Sequence, residues 1–472
     1  MKIFRIGCAF AGFLSLVLSM SAQTTFTTLH SFDLTDGDAP AGALVQGTNG
    51  NLYGTTVVGA DPCVGTVFEL TASGGFTKLV CFDDTDGGTP RAALAQGTNG
   101  NFYGTTYGGG ANNFGTVFEI TSKGALTTLY SFCSQVSQGV CEDGARPYAG
   151  LIQGTNGSFY GTTNGSGGSS AAGTIFEITP SGTLTTLYSF CAKSGCRDGE
   201  NPASGLVQAA NGDFYGTTSA GGLDYGTVFK ITPTGALTTL HTFDETDGST
   251  PQASLVKATN GNFYGTTTEG GTHSYGTVFE ITPGGTLTTL YSFCSQSGCT
   301  DGIQPDAALI QATNGDLFGI TYSGGANNFG TIFEITLSGT LTTLYNFCSQ
   351  SGCADGGRPY AGLIQDTNGD FYGTTSVHGT GGFGTVFSLS VGLGPFVETQ
   401  INSGKVGTVV NILGTNLTGA TGVTFNGTQA VFKVVSSSEI TAKVPTGATT
   451  GEVKVVTPSG TLASNQVFRV IP

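Results

Sequence analysis

An all-β fold is predicted for this 472-residue chain, and three observations predict it. The first is a repeat. Asn49, Asn99, Asn156, Asn211, Asn260, Asn314 and Asn368 each open a near-copy of Asn99-Gly100-Asn101-Phe102-Tyr103-Gly104-Thr105-Thr106, spaced 49 to 57 residues apart. A nearly fixed period of this size marks a repeat architecture. The second is composition: 78 glycines, no Trp and ample Phe, Tyr, Val, Leu and Thr suit short strands joined by tight turns. The third is that no long segment of helical period follows the first 22 residues.

Residues 1–22 read as a signal peptide. Lys2 and Arg5 form a basic start, Ile6 to Leu18 is apolar, and Ser19 to Gln23 supplies small and polar residues for cleavage. The apolar run is short for a membrane span, and no later segment is apolar enough to be one. The expected location is therefore secreted, extracellular or cell-surface associated, with no membrane insertion after signal cleavage.

One repeat, residues 253–293, contains four strand candidates: Leu255–Lys257, Phe263–Thr267, Gly276–Thr282 and Leu287–Phe293. Asn-Gly joins the first two, the strongest short hairpin signal. Pro-Gly-Gly turns the chain between the last two. Four antiparallel strands in about 53 residues is the signature of a propeller blade. Fourth-strand segments of the L-T-T-L-Y-S-F kind end at Phe82, Phe132, Phe190, Phe243, Phe293 and Phe347. The seventh repeat stops at Gly384–Ser390, while a spare copy, Thr27–Phe32, stands near the N-terminus. A seven-bladed β-propeller over residues 23–392, closed by an N-terminal strand, uses every copy. Strand alternation puts the tight turns on one face, and the longer loops and blade crossings on the other, where function usually lives.

From residue 393 the glycine period is lost. Alternating segments at Gly422–Phe425, Ala430–Val435, Glu439–Val444, Glu452–Thr457 and Gln466–Val470 predict a small β-sandwich over residues 393–472.

Ten cysteines follow the signal segment. Cys133-Cys141, Cys191-Cys196, Cys294-Cys299 and Cys348-Cys353 read as local disulfides in an oxidising destination, ahead of a zinc reading that wants closer pairs and further ligands. Cys63 and Cys81 are left over, and the sequence leaves open whether they pair with each other. The formal net charge of −15 argues against nucleic acid and against anionic membrane surfaces.

The N-G-N-F-Y-G-T-T and G-T-V-F-E-I-T units resemble the GloVer tandem-repeat family of exported bacterial proteins, over about residues 24–390. That resemblance implies a repeat architecture on an exported protein and carries little function. Gly407–Leu417, Gly422–Ala430, Ile440–Pro445 and Gly451–Gly460 are similar to an IPT/TIG domain. The resemblance implies an Ig-like fold used as a spacer or adhesive module.

The most regular polar motif is D-G-x-x-P, present in all seven crossings from Asp36/Pro40 to Asp355/Pro359. It reads as a turn whose Asp caps backbone N–H groups. After the preceding Phe, three loops carry an Asp (Asp33, Asp83, Asp244) and four carry a disulfide, so the two devices are expected to fasten the same loop. Asp33, Asp36 and Asp38 form an alternative Ca²⁺ site; otherwise no cofactor is expected. Phe114, Tyr225, Tyr275, Phe329 and Phe383, before the third strand, read as packing positions. Ligand-binding candidates are the less repetitive loop residues Tyr107, Asn112, Asn113, Asp224, Glu269, His273, Tyr322, Asn327, Asn328 and His378, with Tyr148 and Tyr360 after Arg-Pro. His30 and His241 occupy a fourth-strand Tyr position and read as structural. No nucleophile elbow, phosphate loop or unique carboxylate pair is visible. The expected role is non-catalytic recognition or scaffolding of an extracellular polysaccharide or protein. The alternatives are a polysaccharide-processing enzyme and a structural or adhesion component.

Overall fold

The computed structural model describes residues 24–165 and 172–471. The expected signal segment lies outside the described residues. Among the described residues everything regular is β apart from three short 3₁₀ turns, and no described helix is long and apolar enough to cross a membrane.

Each repeat forms a four-stranded antiparallel sheet in simple up-and-down order. The hairpin begins as the sequence demands. Gly100 sits at φ 84°, the left-handed region that glycine enters without penalty. Asn99 Oδ1 accepts the Asn101 N–H at 3.1 Å. The second strand, Phe102–Thr106, is wholly buried. Its central glycine is required, because a Cβ on Gly104 would stand 2.5 Å from Phe118 Cζ of the third strand. The first strand is shorter than expected, only Ala95–Gln96 here and Val256–Lys257 in the repeat analysed above.

The N-terminal strand Thr25–Ser31 pairs antiparallel with Thr385–Ser390 and completes the sheet that also holds the seventh repeat's first two strands. Its Phe26 stacks on Tyr345 at a centroid distance of 4.0 Å.

The core lies between sheets. Tyr53, Val67 and Phe82 of the first repeat pack with Leu94, Phe102, Phe118 and Ile120 of the second, all nearly inaccessible. Each such aromatic contributes about 1.5–3 kcal/mol by leaving water. The same arrangement joins every successive pair. It also joins the last repeat to the first, through Tyr372 and Val386 with Leu44, Leu52 and Phe68.

Two further contacts recur between neighbours. The glycine that opens each third strand packs on the proline of the next D-G-x-x-P, as a Cβ on Gly226 would lie 2.7 Å from Pro251 Cδ; the last of these places Gly384 against Pro40. The residue before that proline holds a φ of 50° to 57° in all seven copies. Its N–H donates to the preceding sheet, as Arg146 N does to Phe114 O at 2.8 Å and Ala39 N does to Phe383 O at 3.2 Å. Near the inner edge, Gln96 Oε1 accepts the Thr48 N–H at 3.1 Å, and Gln46 Oε1 accepts the Thr367 N–H at 3.2 Å.

Residues beyond 396 form two further four-stranded sheets around Val397, Val410, Ile412, Val423, Phe425, Ile440 and Val455. This unit docks on the Asn-Gly turns. Ser438 Oγ donates to Thr48 O at 2.8 Å, Gln400 Nε2 to Gly97 O at 3.2 Å, and Phe396 N to Thr367 O at 3.0 Å. A cavity of about 270 Å³ lies between the units, lined by Gln46, Gln96, Gln365, Glu398 and Asn465 among others. Burial pushes the Glu398 carboxyl up to about 7 and that of Asp366 to about 6. The tight-turn end is therefore covered, and the opposite end carries the free loops.

Candidate functional site

The loop end is built by two segments that zip together in every repeat. The crossing bridges the loop between strands two and three, as in Gly88 with Gly108 and Ile303 with Ser323. The carbonyl of the residue before each proline accepts the N–H of the residue that follows the second strand, as Thr89 O does from Tyr107 N and Gln304 O from Tyr322 N.

The Asp of D-G-x-x-P is structural: it is fully buried in the four disulfide-bearing loops, at Asp143, Asp198, Asp301 and Asp355, and half-buried at Asp36, Asp86 and Asp247. Asp301 is fully buried; it accepts from Tyr291 OH at 2.8 Å, Ser295 N at 2.9 Å and Gln296 N at 3.3 Å. His30 and His241 take the tyrosine's place against Asp36 and Asp247, both at 2.7 Å. Beside these acids, Asp33 Oδ1 accepts from Thr35 N and Thr35 Oγ1, whereas disulfides close the equivalent loops at 133–141, 191–196, 294–299 and 348–353. Cys63 and Cys81 are also bonded. Among the described residues, the one group of three metal-ligating side chains within 4.8 Å is Cys191, Cys196 and Glu200, whose cysteines are oxidised. Asp33, Asp36 and Asp38 do not form such a group.

What remains for recognition is the residue after each proline: Ala41, Arg91, Tyr148, Ala203, Gln252, Asp306 and Tyr360. Tyr148 and Tyr360 belong to the third and seventh repeats, yet their hydroxyls meet at 2.5 Å. Tyr107 stands edge-on to Tyr148, and Tyr322 to Tyr360, each pair at 6.2 Å. Arg91 lies over Tyr107 at 5.1 Å and over Tyr148 at 5.6 Å. Arg146 covers Tyr107 and Arg358 covers Tyr322, each at 5.7 Å. Burial raises the Tyr360 hydroxyl pKa well above its usual range, with Tyr148 adding to the shift. Burial likewise pushes the Asp306 carboxyl up to about 6, against a lowering contribution from Thr268 and with a further push from Glu269. Tyr360 thus stays neutral at physiological pH, set in a partly dried environment beside guanidinium groups.

Of the sequence-predicted candidates, Tyr107, Tyr148, Tyr322 and Tyr360 are brought together here, with Glu269 alongside Asp306. Asn112 donates to Phe132 O and Asn327 to Phe347 O, both at 3.0 Å, while Asn113 and Asn328 accept from Gly109 N and Gly324 N. These four amides shape their own loops. Asp224 holds a left-handed turn at φ 77°, His273 is exposed, and His378 packs edge-on to Phe329 at 4.8 Å. Of the aromatics before the third strand, Phe114, Tyr225, Phe329 and Phe383 join the inter-sheet cores, whereas Tyr275 is exposed. Arg91, Arg146, Asp306 and Arg358 escaped the sequence reading. Their signal was variation beside an otherwise constant proline.

A family model of the Gloeobacter/Verrucomicrobia repeat matches residues 15–143, 135–300 and 224–431, and one of the IPT/TIG domain matches residues 396–470. No curated protein matches the chain. Among solved structures, a candidate gluconolactonase is similar at 10% identity and a TM-score of 0.43, covering 79% of this chain and 94% of its own. A Bacteroides thetaiotaomicron protein of unknown function is similar at 14% identity and a TM-score of 0.39, covering 78% and 76% respectively. At these scores neither likeness bears on function.

Proposed function

Because the chain belongs to the Gloeobacter/Verrucomicrobia repeat family and carries an IPT/TIG domain, we propose that it is an exported, non-catalytic recognition or scaffolding protein. Its seven sheets are read as a closed seven-bladed β-propeller over residues 23–392. Support comes from the contacts joining the last repeat to the first: Gly384 with Pro40, Ala39 N with Phe383 O, and Gln46 with Thr367. Five disulfides suit an oxidising extracellular destination, and the composition of residues 1–22 suits a signal peptide.

The ligand is an extracellular polysaccharide, captured on the loop end. The observation that carries this reading is the meeting of Tyr148 and Tyr360, flanked by Tyr107 and Tyr322, at the centre of that end. Rigid aromatic faces with a few polar groups are what sugar rings stack and hydrogen-bond against. A glycan array on the purified protein, with a reducing-sugar assay, tests it: saturable binding without turnover is expected, and binding of no glycan would refute it. A polysaccharide-processing activity is the second reading, favoured by Asp306, whose carboxyl at about 6 could act as a proton donor. Turnover abolished by Asp306→Asn would replace the first reading with this one.

A further inference from the structure

The identity of the captured sugar can be narrowed, on the assumption that the recognition reading above holds. Repeats two and three build the same unit as repeats six and seven. Tyr107, Tyr148 and Arg146 make one; Tyr322, Tyr360 and Arg358 make the other, with the same 6.2 Å ring pairing and the same 5.7 Å guanidinium cover. In a seven-membered ring, four repeats are a little over half a turn, so the units face each other as near-two-fold mates. Their contact is the Tyr148–Tyr360 hydroxyl pair.

One pair of matched positions breaks this symmetry. The residue after the proline is Arg91 in repeat two and Asp306 in repeat six. Arg91 Nε is buried without a hydrogen-bond partner, and Asp306 Oδ1 has none at ordinary hydrogen-bond distance, the Thr268 hydroxyl interacting with that carboxyl only from further off. Among the described residues neither Arg91 nor Asp306 is in an ion pair. An unsatisfied buried group of this kind is destabilising, and a ligand that completes it recovers that deficit as affinity. Arg91 calls for an acceptor and suits a carboxylate; Asp306 calls for a donor. Three of the six arginines in a chain of net charge −15 surround these tyrosines, so cationic groups outnumber the Asp306 and Glu269 carboxyls beside them on an otherwise acidic molecule.

We propose that the site takes a linear uronate-bearing oligosaccharide, one sugar stacked on each tyrosine unit, with a carboxylate on Arg91 and a hydroxyl donating to Asp306. The Arg91/Asp306 difference fixes the direction in which the sugar chain lies.

Calorimetric titration of the intact protein with oligogalacturonate, neutral cello-oligosaccharide and polyglutamate tests this. The uronate should bind at least about tenfold more tightly than the neutral oligomer, the factor expected from one well-made charged hydrogen bond. Arg91→Asp alone should remove that preference. The double variant Arg91→Asp/Asp306→Arg exchanges the two ends, so it should return to within about threefold of the parent affinity. Should Arg91→Asp lower the melting temperature, Arg91→Gln carries the test of the preference in its place. Equal binding of neutral and acidic glycans, unchanged by Arg91→Asp, would overturn this inference and leave glycan recognition standing. Failure of the double variant to recover would overturn the directional pairing. Binding of polyglutamate in place of the uronate would overturn the sugar assignment, and binding of no glycan would overturn the recognition reading as well.

Discussion

Replacing Glu398 by Gln asks how the Ig-like unit is held against the repeat sheets. The Glu398 carboxyl lies deep between the two, facing the cavity lined by Gln46, Gln96 and Gln365, and burial lifts it to about 7, with the Asp366 charge pushing the same way. A carboxylate whose folded pKa is raised stabilises nothing by ionising. Below a pH of about 4.5 it is neutral in both folded and unfolded chains, and there is no penalty. Through the window up to about 7 the folded chain must accept a poorly solvated charge, and stability is lost. A lift of that size is worth about 3 kcal/mol once ionisation is complete. Gln keeps the shape and never ionises. Urea denaturation of parent and variant should therefore agree to within about 0.5 kcal/mol near pH 4, and separate by up to about 3 kcal/mol in the variant's favour near pH 8. A difference independent of pH, or a less stable variant near pH 8, would refute the burial argument.

Four other perturbations have defined outcomes. Asp301→Ala leaves Tyr291 OH, Ser295 N and Gln296 N without their shared acceptor in a fully buried site, and should cost about 2–4 kcal/mol by thermal denaturation. Gly384→Val places a Cβ 2.3 Å from Thr375 O at φ 99°, so a fall in melting temperature is expected; a neutral effect would count against the Gly384–Pro40 contact as a joint between the last and first sheets. Deleting residues 24–34 removes the strand paired with Thr385–Ser390 and the Phe26–Tyr345 stack, and an unchanged melting curve would contradict its latching role. Chelation is expected to leave the melting temperature unaltered, since Asp33 and Asp36 are engaged by Thr35 and His30; a clear drop would favour the calcium alternative at that loop.

Much of the architecture was legible because the repeat carries its own controls. Asn-Gly at seven equivalent places announces seven hairpins, and the missing eighth L-T-T-L-Y-S-F segment announces that Thr25–Ser31 must pair with residues near 388. The exchange of Asp33 for Cys133 after a constant Phe pointed to one loop fastened in two ways, and the hydrogen bonds of Asp33 and the 133–141 disulfide do that. The first strand was overestimated because its apolar residues, such as Leu255, pack into the core without laddering. The site was only half legible. Tyr148 and Tyr360 stood out as aromatics in loops, but their meeting depends on bringing together residues 212 apart. Arg91 and Asp306 were hidden because a single variable position beside a proline has no local meaning until the crossings converge. Nor does any local pattern say that the Ig-like unit covers the Asn-Gly turns, which Gln400 and Ser438 accomplish with two side-chain hydrogen bonds.

The most direct test of recognition at the loop end is equilibrium binding of a glycan to the intact protein beside its Tyr148→Ala/Tyr360→Ala variant, with melting curves for both. Saturable binding that weakens at least about tenfold in the variant, at an unchanged melting temperature, is the predicted result. Binding that survives the loss of both tyrosines would contradict it.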